Sequence, residues 1–529
     1  MARAELRDSL EFLFPDSRIR SKGARPFEVS VPRGGTASAQ VLLTGLEPHC
    51  RVRARLERKD REVEDAQWFR LLAVPVEANT GPVGFIEKNG EVNPHAIRRA
   101  PFRVYDAMEP MKGRISSKEG TAVLRLQLPV SRSARRGKKD FTVEIEAGKE
   151  RATLPLAVYV HGTTVPEAGN NSLPYTNWFS VSHIAERHGL SMWSEPHWRM
   201  IGKYAELMAH ARQNMFWCPW SLFFVDQKNR PLLDVKRFRR YVKTFSQAGL
   251  HYIEGGHVAG RAGGDWDAER FHLQLTGTPA TSIQGNAELQ GILKQLVTEM
   301  DAQGWRDRWV QHVTDEPTQR NAADYRILSG MVRKYMPGVP LLDATMELGL
   351  AGSVDYWCPQ CQEYQGHRDA FEKQRELGDR VWYYTCCFPG GPWLNRLLDM
   401  ELLRPALMGW AMARYRLDGF LHWGLNHYKE NQDPFRQSVV SHGGSNSLPA
   451  GDTHIVYPGK NGPWSSVRLE AQREGFEDYE LLRELWKRDP GSADRIVRRA
   501  LRRFDDYTKN PSTFRKAQTA LYEACESTL

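Results

Sequence analysis

The chain is predicted to be a β-sandwich followed by a (β/α)8 barrel, on three observations. Residues 1–165 carry runs in which apolar and polar side chains alternate at every second position, the period of half-buried strands. From Tyr175 onward, short apolar or aromatic runs alternate with helical stripes. Tryptophan marks the join: Trp68 is the only one before residue 170, and the other fifteen follow it.

In the first part, Leu124, Leu126 and Leu128 alternate with Arg125 and Gln127, and Phe141, Val143 and Ile145 alternate with Thr142, Glu144 and Glu146. Similar runs at 27–32, 38–44, 50–57, 69–76 and 152–160, parted by Gly, Pro and charged turns, complete the pattern of a sandwich. The basic cluster Arg132, Arg135, Arg136, Lys138 and Lys139 lies between two strand-like runs and predicts a solvated hairpin tip. A phosphate-binding patch is the lesser alternative, since no aromatics interleave for base stacking.

In the second part, strands are predicted at 176–181, 214–218, 251–254, 309–314, 340–344, 354–358, 381–386 and 418–423. Ser194 caps a helix with Ile201, Ala205 and Met208 on one face, and Leu289, Leu293, Leu296 and Met300 form another stripe. An open doubly wound sheet is the alternative, but the chain lacks its Gly-rich phosphate fingerprint. The Gly-, Ser-, Asn- and Pro-rich stretch 443–464 predicts a long loop, 466–488 a closing helix, and the remainder further helix outside. The expected domains are a sandwich over 1–165, a barrel over 166–490 and a helical extension over 491–529.

At 529 residues the chain is too long for one ordinary domain, and 41% hydrophobic with 10% aromatic residues is the composition of a globular protein. The net charge of +9 is a small excess of 73 basic over 64 acidic residues and gives no reason to expect nucleic acid. Seven cysteines, an odd number, imply no disulfide framework. Residues 1–15 are charged throughout and do not read as a signal peptide, and no stretch has the length of a membrane span. The expectation is a protein that stays inside the cell or has lost an export signal, with no membrane partner and its oligomeric state open.

Asp315-Glu316-Pro317 closes the run Trp309 to Thr314. Proline cannot donate to a ladder, so Pro317 predicts that the strand stops and that two adjacent carboxyl groups stand at its C-terminal mouth, where barrel enzymes carry their chemistry. One acid can hold a proton there while its neighbour stays ionised. The competing reading is a helix N-cap. Other strand ends add Asn177 and Trp178, Asn214 and Trp217, Glu254 with His257 and Arg261, Trp357, Tyr384, and Trp423 with Asn426. Aromatic walls with amide and charged partners suit sugars. For any single tryptophan, core packing is the competing reading.

Several of these segments also resemble a known family. Thr176 to Phe179, Arg212 to Asn214, Ile253 to His257, Thr314 to Pro317, Asp418 to Trp423 and the late Arg468-Leu469-Glu470 to Glu477-Asp478-Tyr479 are similar to glycoside hydrolase family 123, the β-N-acetylgalactosaminidases and their uncharacterised relatives. The resemblance runs from about residue 170 to 490, and the late segment is its most specific piece. It implies a retaining hydrolysis in which the substrate's own 2-acetamido oxygen attacks the anomeric carbon, the exception to the two-carboxylate scheme. Glu316 would then protonate the leaving oxygen and later deprotonate water, and Asp315 would hold the acetamido N–H. Tyr384 would reach the acetamido oxygen, Trp357 or Trp423 would wall its methyl group, and Arg261 and His257 would read hydroxyls. A glycan ending in N-acetylhexosamine is the implied partner, and no cofactor is implied.

Two alternatives follow from the residues. A protein nucleophile, Glu254 or Asp343, would serve a sugar without the acetamido group, and a binding protein without catalysis would use the same aromatic ring. Cys358-Pro359-Gln360-Cys361 has the spacing of a zinc half-site, with Cys218, Cys386, Cys387, His257 and His422 at other strand ends. A single CxxC without a second pair is a weak signal, so no metal is expected.

Overall fold

The computed structural model describes residues 2–20, 26–117, 120–227 and 230–527, so Met1, Thr528 and Leu529, at the limits of the expected first and last domains, lie outside it. The N-terminal part is β-rich. One sheet runs in the order Arg3–Asp8, Thr36–Thr44, Thr121–Pro129, Gln67–Val76 and Phe102–Pro110. The other runs Phe27–Arg33, Glu150–Thr164, Gly137–Ala147, Arg51–Arg58 and Arg61–Glu62. Val41, Leu43, Leu124 and Leu126 of the first sheet meet Leu56, Val143, Ile145 and Val158 of the second in one apolar core.

The two sheets differ in a way the alternation does not reveal. Gly137–Ala147 alternates as expected, with Thr142, Glu144 and Glu146 half-exposed. Thr121–Pro129 is buried on both faces, because its second face is covered by the rest of the chain. Arg125 is fully enclosed and donates to the Ser9 carbonyl at 3.1 Å, and Gln127 donates to Glu470 at 2.8 Å. The basic cluster is likewise not a hairpin tip: it joins Thr121–Pro129 in one sheet to Gly137–Ala147 in the other. Arg132 donates to the Val165 carbonyl, and Arg136 pairs with Glu526.

Eight parallel strands follow among the described residues: Tyr175–Asn177, Met215–Cys218, Tyr252–Gly255, Trp309–Gln311, Leu342–Ala344, Tyr356–Cys358, a seventh broken at Trp382 into Arg380–Val381 and Tyr383–Thr385, and Phe420–His422. They pair in parallel within three groups, the third with the second and fourth, the sixth with the fifth and the start of the seventh, and the eighth with both the seventh and the first. Single links join the groups: Asn214 N–H to the Tyr175 carbonyl at 3.3 Å, a parallel bridge of Gln311 with Leu341, and another of Gln360 with Tyr384. All eight overlap the stretches the sequence predicts, most of them shortened, with Tyr175, Gly255 and Arg380 each lying one residue outside.

Helices intervene where the stripes place them. Glu195–His210 starts at Ser194, whose hydroxyl accepts from His197 N–H, and buries Ile201, Ala205 and Met208. Ile283–Gln303 buries Leu289, Leu293, Leu296 and Met300 and stops at Gly304, which takes the left-handed backbone that glycine tolerates. The helix Val467–Arg488 is enclosed along most of its length, an arrangement typical of a helix packed on all sides. The final helix is Pro511–Ser527, preceded by Pro490–Ala500 and a short hairpin. No described helix is long and apolar enough to cross a membrane.

Candidate active site

The fourth strand leaves its sheet at Gln311, earlier than Pro317 requires. Beyond it the backbone finds other partners: His312 N–H donates to the Gly255 carbonyl at 3.1 Å, and Val313 accepts from Val258 and Ala259. Val313 N–H donates to the Asp343 carboxylate at 3.2 Å. This anchored segment delivers Asp315 and Glu316, both half-buried, to the end of the strand. They do not cap the next helix, which starts at Thr318 and Asn321, with Thr318 N–H donating to the Asn321 side chain at 2.8 Å.

Glu316 has a φ of +40°, a left-handed backbone that a non-glycine residue adopts at a cost of about 1–3 kcal/mol and only where its surroundings enforce it. The enforcing group is Arg261. Its guanidinium donates to the Asp315 carbonyl at 2.9 Å and to the Glu316 carbonyl as well, clamping the peptide between them. Tyr384 donates its hydroxyl to the Glu316 carboxylate, and Gln360 donates to that hydroxyl at 3.0 Å. Burial, then the neighbouring Asp315 charge, push Glu316 up to about 7, against the pull of Tyr384 and Arg261. Burial also raises Asp315, but the Arg261 and His312 cations oppose it. Of the two acids, Glu316 is the one placed to carry a proton near neutrality.

Beneath the pair lies a fully enclosed ion triad, of which the sequence reading named Glu254 and Asp343 as candidate nucleophiles but gave His312 no role. His312 holds the Glu254 carboxylate through Nε2 at 2.8 Å and the Asp343 carboxylate through Nδ1 at 3.1 Å. Burial alone would lower this imidazole, yet the two carboxylates together lift it to about 9, so it is a cation at neutral pH. The carboxylates have further donors: the Thr176 hydroxyl reaches the other Glu254 oxygen at 2.5 Å, the Trp178 indole, at 2.7 Å, shares the oxygen that His312 holds, and the Tyr325 hydroxyl donates to the other Asp343 oxygen. The signal for His312 was its place just past the strand Trp309–Gln311, with Glu254 and Asp343 on the strands to either side.

Above the triad, Trp178 stacks on Trp217 with ring centroids 4.5 Å apart, and His257 stands edge-on to both at 5.2 Å. Burial holds His257 neutral, well below its ordinary range. Trp423 packs against the same central cluster as Tyr384, and its indole donates to Asp452 at 3.2 Å. Burial pushes Asp452 up to about 7, another residue the sequence reading did not single out.

Asp315, Glu316, Trp178, Glu254, His257, Arg261, Tyr384 and Trp423 thus belong to one connected assembly. Four expected substrate-binding residues do not join it. Asn177 alternates to the opposite face of the first strand, where Arg396 donates to it at 2.7 Å. Asn214 precedes its strand and ties the Gly169–Ser172 turn to Tyr175. Trp357 faces Phe371 and donates to Asp379, so it walls no pocket here. Asn426 joins both backbone groups of Ser180.

The cysteines do not form a half-site. Cys358 packs in the central cluster and Cys361 in the outer core, where it donates to the Leu394 carbonyl. Cys218, Cys358, Cys361, Cys386 and Cys387 are buried thiols outside any disulfide. His257, His312 and Asp343 bring ligand atoms within 4.8 Å of one another, but both His312 nitrogens are already on carboxylates and no lone pair remains for a cation.

A family model described as glycoside hydrolase 123, catalytic domain, matches residues 178–485. No curated protein is matched. Among solved structures, a family 123 glycoside hydrolase from Clostridium perfringens, studied for glycolipid glycan hydrolysis, superposes with a TM-score of 0.72 over 100% of this chain and 98% of its own at 12% identity. That likeness is one of fold. The carbohydrate-binding and family 10 modules of Clostridium thermocellum xylanase 10B reach a TM-score of 0.34 at 10% identity, over 82% of this chain and 90% of theirs. The endo-β-1,4-mannanase of Thermotoga petrophila reaches 0.35 at 11%, over 59% and 77%.

Proposed function

The chain belongs to glycoside hydrolase family 123, and from that premise we propose that it is a retaining exo-glycosidase releasing terminal β-linked N-acetylgalactosamine through an oxazolinium-type intermediate. We read the eight parallel strands and their helices as a (β/α)8 barrel behind a sandwich, with limits near residues 165 and 490. The cyclic order of pairing supports that reading.

One observation carries the mechanism. Asp315 and Glu316 offer carboxyls with unequal surroundings, while Glu254 and Asp343, the alternative nucleophiles, are fully enclosed and hydrogen-bonded at their oxygens. A site whose protein nucleophiles are tied up this way favours attack by the substrate's own acetamido oxygen. Glu316 protonates the departing glycosidic oxygen as the acetamido oxygen closes on the anomeric carbon. Asp315 accepts the acetamido N–H and stabilises the positive ring that forms, and the Arg261 and His312 cations oppose the burial that raises it. Water then enters, Glu316 takes its proton, and the sugar leaves with its configuration retained. The galacto preference comes from the family resemblance.

Glu316→Gln is expected to lower kcat/KM on sugar or alkyl glycosides by roughly 10²–10⁴-fold, and Asp315→Asn to lower turnover on 2-acetamido substrates comparably while the fold stays intact by circular dichroism. Because the reactive form of Glu316 is protonated, kcat/KM should fall as pH rises through about 7. Efficient cleavage of a galactoside lacking the acetamido group, or near-full activity of Asp315→Asn, would exclude substrate assistance.

A further inference from the structure

Trp266 is an exposed aromatic at the acid pair, outside the residues assigned to the reaction. It lies on the loop between the short strands Ala259–Arg261 and Phe271–Leu273, which follows the third parallel strand. Its ring covers the Arg261 guanidinium at 3.9 Å, and Arg261 in turn holds the Asp315 and Glu316 carbonyls. Yet it is 55% exposed, while Trp217 is 9% exposed and Tyr384 4%. The loop is fixed in place: Arg320 donates to the Asp267 carbonyl at 2.5 Å, Asn321 to the Ala268 carbonyl at 3.3 Å, and Phe271 N–H to Asp324 at 2.8 Å. A large apolar ring on an anchored loop loses little freedom on binding and stays available to a partner.

We propose that the free face of Trp266 is the platform for the sugar on the leaving-group side of the scissile bond, so that the natural substrates carry at least one further ring beyond the terminal residue. This rests on the exo-acting reading above. The enclosed end of the site, with Trp178, Trp217 and Tyr384, takes the terminal sugar, whose acetamido group must be shielded from water. Whatever lies beyond the scissile oxygen then points toward solvent, and Trp266 is the aromatic that meets it there. The C–H face of a pyranose is the surface such a ring accepts.

The test compares a disaccharide ending in β-linked N-acetylgalactosamine with the methyl β-glycoside of the same sugar, which offers no ring to the platform. Trp266→Ala should reduce the preference for the disaccharide, measured as the ratio of the two kcat/KM values, by about tenfold, the scale of one lost aromatic stacking contact, mostly through KM. Calorimetry on Glu316→Gln gives the same comparison without turnover: the disaccharide binds more tightly than the methyl glycoside, and Trp266→Ala erases that margin. An equal loss on both ligands would make Trp266 a support for Arg261 alone and overturn the platform, as would a margin that survives the substitution. Failure of the unmodified protein to hydrolyse either glycoside would instead overturn the proposed reaction, leaving the binding margin to judge the platform.

Discussion

His312 ties the site to the stability of the molecule. It is fully enclosed, its ring bridges two carboxylates, and its proton is held until about pH 9 against an ordinary value of 6.5. The folded state binds that proton more tightly than the unfolded chain, so the stabilisation is complete below pH 6.5 and is lost as pH rises through about 9, with a size of about 3 kcal/mol. His312→Asn leaves two buried carboxylates without a cation and is expected to cost about 3–5 kcal/mol at pH 6. Urea unfolding of both proteins should find that gap shrinking toward pH 9.5, and parallel profiles would refute the ion triad. The acid pair was legible because Pro317 forbids a ladder partner at that point, although the strand already ends at Gln311. Arg261 was legible as a polar residue near a strand end, but not its task, since a clamp on two carbonyls depends on the φ of Glu316, which composition does not carry.

At the scale of elements, Val467–Arg488 explains why its sequence marks the family. Arg468 donates to Asp106 at 3.0 Å and to the carbonyls of Arg396, Gly451 and His454, while Glu470 accepts from Gln127, His210 and Arg473. Asp478 accepts from Trp410, Gln518 and Tyr522. These are frame contacts, so the motif identifies an architecture and is silent on the sugar. The helix also meets Leu403–Tyr415 backbone to backbone: a Cβ on Gly475 would lie 1.9 Å from the Ala406 carbonyl oxygen. Gly475→Ala should therefore destabilise by at least about 1–3 kcal/mol, whereas Gly202→Ala, in an open helical position, should be neutral or stabilise by up to about 1 kcal/mol. Melting temperatures decide this, and similar shifts for both would contradict the close crossing. Strand positions were readable from short apolar runs. The double burial of Thr121–Pro129 was not, because the groups that meet Gln127 and Arg125, Glu470 and the Ser9 carbonyl, come from remote parts of the sequence.

Across the whole molecule, the N-terminal β-rich part and the parallel-strand region are joined by buried charge. Asp106 and Arg468 are fully enclosed, and the Tyr457 hydroxyl donates to the same carboxylate at 2.6 Å. Asp399 accepts from Thr80 N–H and its hydroxyl, both at 2.7 Å. Removing one member of such a pair strands the other, so Asp106→Ala is expected to cost about 3–5 kcal/mol, and the unmodified protein should melt in a single calorimetric transition. Two well-separated transitions would show that the halves are independent. The change in strand period and tryptophan distribution near residue 165 was visible in the sequence, but the contacts that the first part makes beyond it were not. Residues 81–86 lie along 388–391: Phe85, held at a φ of +50°, donates its N–H to the Cys387 carbonyl and packs edge-on against Phe388 with centroids 4.9 Å apart. These residues adjoin the seventh parallel strand and the cluster around Tyr384. If the proposed site is the catalytic one, a chimaera that borrows its front half from a relative imports part of that site's rim, and its substrate range should follow the donor of that half.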